Sequence, residues 1–119
     1  MTVTPTRRAA LEVLRSVRRG ALADLALARA VAGMDARDAA WVQELVYGTF
    51  RLRGRIDYIL EGHVRRGIAR LEPDVLDVLR LGAYQLLEMG SVPAYAAVSQ
   101  SVELVRGVGG RGADRLVNG

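Results

Sequence analysis

The stretch PDVLDVLRLGAYQLLE, Pro73 to Glu88, decides the fold class. Proline opens it, and Asp74 follows in the first turn, where a carboxylate suits the positive end of a helix. Leu76, Leu79, Ala83, Leu86 and Leu87 then recur at three- and four-residue spacing. That period predicts a helix with the most continuous apolar face in the chain, and so the central one.

The same period extends outward on both sides, and no segment keeps the strict alternation of a half-buried strand. The expectation is an all-α protein. Upstream, Ile56 to about Val64 reads as a helix with Ile56, Ile59 and Leu60 inward, running into the basic loop Arg65 to Arg70. Before it, a helix from Asp35–Asp38 to about Arg53 turns Val42, Leu45, Val46 and Thr49 inward, with Trp41 or Phe50 at its edge and Gly54 as the break. A shorter helix, Leu22 to Ala32, is expected to bury Leu22, Leu25, Ala26 and Ala30. The first helix opens near Pro5 with Thr4 as N-cap, buries Ala10, Leu11, Leu14 and Val17, and closes at Gly20.

Downstream of the central helix, the loop Met89–Pro93 leads into a helix from Ala94 to Val105, with Ala97, Val98, Ser101, Val102 and Val105 inward. The glycine-rich segment Gly107–Gly112 follows. Ala113 to Gly119 reads as the opening of a seventh helix, which predicts that residues 1–119 are a single domain forming the N-terminal part of a longer protein.

Composition removes whole classes of chemistry. The 119 residues include no cysteine, so a thiol nucleophile, a disulfide and a thiolate metal cluster are excluded for this chain. One histidine, His63, leaves no metal site to expect and reads as a partly exposed residue between helices. Asp74 with Asp77, and Glu12 with Asp24, fit helix-end and solvated-face roles better than acid–base catalysis. Gly107–Gly112 follows a helix rather than a strand, so it reads as a connection and not a phosphate loop. Neither a membrane span nor a secretion signal is apparent, and the expected location is the cytoplasm.

Charge is where the sequence speaks to function. All seventeen basic residues are arginine, a pattern that a coding bias and a functional choice would both produce. Residues 1–70 hold thirteen of them against seven acids, and residues 71–119 hold four against six. Guanidinium groups fork onto phosphate oxygens and stack on unpaired bases, so arginines clustered on helices suit RNA. Two groups stand out: Arg7, Arg8, Arg15, Arg18 and Arg19 on the first helix, and Arg51, Arg53 and Arg55 at the junction of the third and fourth. Arg80 and Tyr84, one turn apart on the central helix, read equally as a stacking platform or, for Arg80, as an ion pair with Asp57 or Glu44.

Six motifs now fall into order: ELVYGTFR (Glu44–Arg51), IDYIL (Ile56–Leu60), LRLGAYQL (Leu79–Leu86), VPAYAAV (Val92–Val98), VEL (Val102–Leu104) and LVN (Leu116–Asn118). In sequence and spacing they resemble the NusB-like RNA-binding domain, over Arg7 to Gly119. The wording of ELVYGTFR and LRLGAYQL is most similar to the N-terminal domain of the RsmB (Sun, Fmu) ribosomal RNA cytosine-C5 methyltransferases of bacteria. The resemblance implies a bundle of six to seven helices in two packed subbundles, with Arg7 and Arg8 matching the basic entry to the first helix. It also implies a parent whose separate Rossmann-like domain binds S-adenosylmethionine and attacks cytosine with a cysteine that this chain lacks, so this chain itself is expected to be no enzyme and to need no cofactor. The implied partners are small-subunit ribosomal RNA and the catalytic domain in cis. Two other readings remain open: a free-standing NusB-type antitermination factor binding single-stranded RNA with a small ribosomal protein, and a protein docking domain that pairs with the catalytic domain or forms a homodimer. One departure is visible, Ser99-Gln100 where relatives often carry Asn-Glu.

Overall fold

The computed structural model describes residues 2–108. Along them run α1 (Pro5–Arg18), α2 (Ala23–Ala30), α3 (Ala36–Arg51), α4 (Arg53–His63), α5 (Pro73–Glu88) and α6 (Ala94–Val108), with a 3-10 turn at Ile68–Arg70. The described residues contain no strand, so the all-α expectation holds. The seventh helix expected at Ala113–Gly119, and the LVN motif within it, lie outside the described residues.

Local chemistry sets most of the boundaries. Thr4 caps α1, its Oγ1 accepting from the Arg7 N–H at 3.4 Å, and Asp35 caps α3, accepting from the Asp38 N–H at 2.8 Å. At the end of α1, Gly20 adopts φ +107°, and the Ala21 N–H returns to the Ser16 carbonyl at 2.9 Å, closing the last turn. The α3–α4 break falls at Leu52, two residues before the expected Gly54, which lies inside α4.

α1, α2 and α3 pack as one subbundle and α4, α5 and α6 as the other. α5 touches α1, α3, α4 and α6, which confirms it as the central helix. The inward face of α3 is as read: Val42, Leu45, Val46 and Thr49 are all buried. Two other faces are rotated from expectation. α2 buries Ala26 and Leu27 and leaves Leu22 and Leu25 in solvent. α5 buries Val75, Asp77, Val78, Leu81, Gly82, Tyr84 and Gln85, while Leu86 and Leu87 are about half exposed.

The cause of the α5 rotation is that this helix is packed on several sides. Its apolar stripe of Leu79, Ala83, Leu86 and Leu87 lines an open groove with Ile59 and Leu60 of α4 and Ala97 and Val98 of α6. Its core face holds two polar residues, Asp77 and Gln85, that serve arginines of α1. A window that scores hydrophobicity cannot see polar residues buried for a partner far along the chain.

The departure at Ser99-Gln100 has a structural use. Gln100 is buried on α6, accepts from the Thr4 N–H at 2.8 Å and donates to the Thr2 carbonyl at 3.1 Å. One side-chain amide thus ties the start of the chain to its last described helix, satisfying a donor and an acceptor at once.

Candidate nucleic-acid interface

The arginines divide into three groups once their partners are known. Arg7 is only 8% exposed. Its Nε donates to Gln85 Oε1 at 2.8 Å, its Nη1 donates to Thr4 Oγ1 at 3.2 Å, and its guanidinium lies 5.1 Å from the Trp41 ring centroid. Gln85 is held in turn by donating to the Leu81 carbonyl. Burial draws the Arg7 pKa below its ordinary value. Arg7 therefore fastens α1 to α3 and α5, and its burial, with Nε and Nη1 both donating inside the protein, weighs against the expectation that it reaches RNA.

The second group forms a ladder of alternating charge across α1, α5 and α4. Arg15 pairs with Glu12 at 2.8 Å and approaches Asp74 at 3.3 Å; Arg18 bridges Asp74 and Asp77. Asp77 meets Arg80 at 3.3 Å, and Arg80 forks onto Asp57, Nε to Oδ1 at 2.8 Å and Nη2 to Oδ2 at 2.9 Å. Arg53 ends the ladder, 3.9 Å from Asp57. Of the two partners considered for Arg80, Asp57 is the one used; Glu44 is exposed. Burial raises the Asp77 pKa, outweighing the neighbouring Arg18 and Arg80 that lower it. For Arg80 burial lowers the pKa, but the hydrogen bonds and charge of Asp57, with Asp77, hold it above the ordinary value.

Arg15, Arg18 and Arg80, expected as RNA contacts, are thus engaged in ion pairs within the protein. Four guanidiniums meet four carboxylates, so their charge is locally balanced. Tyr84 is enclosed as well: it is 4% exposed, packed over Gly48, and presents no face to a base.

What remains is the third group, exposed and without an ion pair among the described residues: Arg8, Arg19 and Arg51 of the expected set. Arg53 and Arg55 join them as largely exposed groups whose nearest carboxylates are 3.9 and 3.8 Å away. The structure adds Arg65, Arg66 and Arg70, exposed at the far end of α4 and around the 3-10 turn. Their signal, three arginines in six residues, was legible as a basic loop but not assigned a role. α4 thus carries arginines at both ends, Arg51, Arg53 and Arg55 at its start and Arg65 and Arg66 just past its close. With Asp57, Asp74 and Asp77 engaged in the ladder, Arg8, Arg19, Arg51, Arg65, Arg66 and Arg70 face solvent with no ion pair among the described residues, and Arg53 and Arg55 have only long ones. Exposed guanidiniums spaced along a helix can neutralise successive phosphates and release their counterions.

Comparison with known proteins places the fold and the family. The family model described as NusB matches residues 4–119. A putative methyltransferase of Mycobacterium tuberculosis is 48% identical over 102 residues, covering 83% of this chain and 22% of the relative. A probable ribosomal RNA small subunit methyltransferase B of Synechocystis is 35% identical over 116 residues, covering 95% of this chain and 26% of the relative. This chain therefore spans about a quarter of the length of these relatives. Among solved structures, a chain in the complex of antitermination factors NusB and NusE with double-stranded RNA superposes with a TM-score of 0.83 at 26% identity, over 96% of this chain and 88% of that one.

Proposed function

This chain belongs to the NusB family, and from that membership we propose that it is the RNA-gripping module of a small-subunit ribosomal RNA (cytosine-C5) methyltransferase. Two relatives named as methyltransferases support the parent, and a neighbour solved with RNA supports the ligand. The observation that carries the reading is the row of exposed arginines at both ends of α4, of which Arg51, Arg65 and Arg66 have no ion pair among the described residues and Arg53 and Arg55 only long ones, at 3.9 and 3.8 Å.

In this reading residues 1–119 are one domain that positions substrate RNA in the cytoplasm, and chemistry belongs to a catalytic domain in cis. In this reading S-adenosylmethionine would bind that domain. The module itself performs no reaction.

The test is a salt titration of RNA binding. Arg51→Ala with Arg55→Ala is expected to lower affinity for ribosomal RNA fragments about tenfold and to flatten the log–log salt slope by about 1.4, two phosphates at about 0.7 each on a single strand. Arg37→Ala, roughly 20 Å from Arg51 at the other end of α3, combined with Arg29→Ala on α2, removes the same charge and is expected to do much less. Equal losses from both pairs would reduce the binding to general charge attraction and defeat the assignment.

A second reading, protein docking, is favoured by the apolar groove between α4, α5 and α6. If a second copy covers it, light scattering should report a dimer whose mass falls when Leu86 and Leu87 are both changed to serine. A monomer at all concentrations tested sets homodimerisation aside.

A further inference from the structure

Tyr58 has no part in the fold. It stands on α4 with 82% of its surface in solvent, the most exposed of the large hydrophobic residues. The buried residue of α4, Ile56, fixes the inward direction, and at 100° per residue Tyr58 points nearly opposite to it. Its neighbours in the same row of the helix, one turn before and one turn after, are Gly54 and Gly62, and both have open space where a side chain would stand. Such a row of glycine, tyrosine and glycine leaves the phenol ring uncovered and the helix surface beside it low enough for a flat partner to approach. Arg55, three residues earlier and exposed, lies beside the ring, with Arg51 and Arg53 before it and Arg65 and Arg66 beyond the end of the helix.

Burying this ring against another protein would also bury the surrounding arginines, which is costly without matching carboxylates. An RNA strand supplies a phosphate for each of them and a base for the ring. Resting on the RNA reading above, we propose that the outer face of α4 is a binding site for single-stranded RNA in which an unpaired base stacks on Tyr58 while Arg51, Arg55 and Arg65 hold the flanking phosphates. Tyr58 thereby takes the stacking role that the sequence had offered to the buried Tyr84.

The 119-residue chain is titrated with a fluorescently labelled, unstructured twelve-nucleotide RNA and with the same sequence as a duplex. Stacking on an aromatic side chain is sequence-tolerant and strong enough that Tyr58→Ala should weaken single-strand binding about tenfold, with an unchanged salt slope and an unchanged melting temperature. Tyr58→Phe should bind as the parent does, and the duplex should register little difference. A 2-aminopurine base placed in the RNA should be quenched by the parent and not by Tyr58→Ala. If Tyr58→Ala binds as tightly as the parent while Arg51→Ala with Arg55→Ala does not, the stacking site is overturned and the RNA reading stands. Binding by neither parent nor variants would overturn both, and an equal loss on duplex and single strand would show that Tyr58 does not select unpaired bases.

Discussion

Replacing Gly48 with alanine is expected to cost at least about 3 kcal/mol, at the upper end of what overpacking a helix crossing does. A Cβ built there would lie 2.0 Å from Cζ of Tyr84, 2.2 Å from its hydroxyl and 2.4 Å from Cε2. No rotamer adjustment of the tip relieves this, because the ring itself is buried between α3 and α5. The helices must separate or the ring must leave the core, and either opens the buried cluster to which Leu45, Val46 and Leu81 also belong. For a domain whose total stability is of order 5–15 kcal/mol, such a loss populates the unfolded state visibly. Urea denaturation followed by circular dichroism and by Trp41 fluorescence measures it. Tyr84→Leu in the same chain should recover part of the loss, since it removes the obstructing ring end, and that non-additivity identifies the contact. A variant within about 1 kcal/mol of the parent would mean that the crossing is looser than described.

Arg80→Ala should be comparably severe, about 3–5 kcal/mol, because it removes the cation between two carboxylates. The Arg80 side chain is 11% exposed and Asp77 only 5%. Without the guanidinium, Asp57 loses its fork and Asp77 keeps only Arg18. Arg80→Lys is expected to recover only part, since an ammonium cannot span both oxygens of Asp57. The milder change is Asp77→Asn: burial already favours the neutral form of that carboxyl, so an uncharged isostere forfeits less than the loss of Arg80. The pH dependence has a definite sign. The Asp77 pKa in the folded protein lies above its ordinary value, so the stabilising contribution of its protonated form is full below the ordinary carboxylate range near 4 and is lost as pH rises through the folded value. Arg80→Ala removes a cation that lowers it and so raises that folded value further, and the variant should therefore regain stability relative to the parent as pH falls from neutrality toward the ordinary carboxylate range. Melting temperatures across that range measure it; a gap that widens on acidification would refute the role given to the ladder.

Both variants also bear on function. Arg80 stands in the ladder and not on the exposed arginine row, so any loss of RNA binding in Arg80→Ala should follow its loss of fold. The exposed row, in contrast, should lose binding with no change in melting temperature.

What the chain determined by itself is the local grammar. Helix period, Thr4, Asp35 and Pro73 at helix starts, and glycines at the α1 and α2 ends act within a few residues, so they were legible, as was the family through motifs in fixed order. The inward face of α3 was legible for the same reason, because its apolar stripe is also its buried one. Only the tertiary structure decided the roles of the arginines. Arg7 with Gln85 and Trp41, Arg18 with Asp77, and Arg80 with Asp57 are partnerships between distant segments, and a guanidinium on a helix looks the same in sequence whether it meets a carboxylate or solvent. The same holds for the two tyrosines: Tyr84 is enclosed because α3 offers a glycine opposite it, and Tyr58 is open because the rest of the bundle takes the opposite side of α4, where Ile56 is buried. Burial is a property of what lies across the interface, and a single helix cannot carry that information.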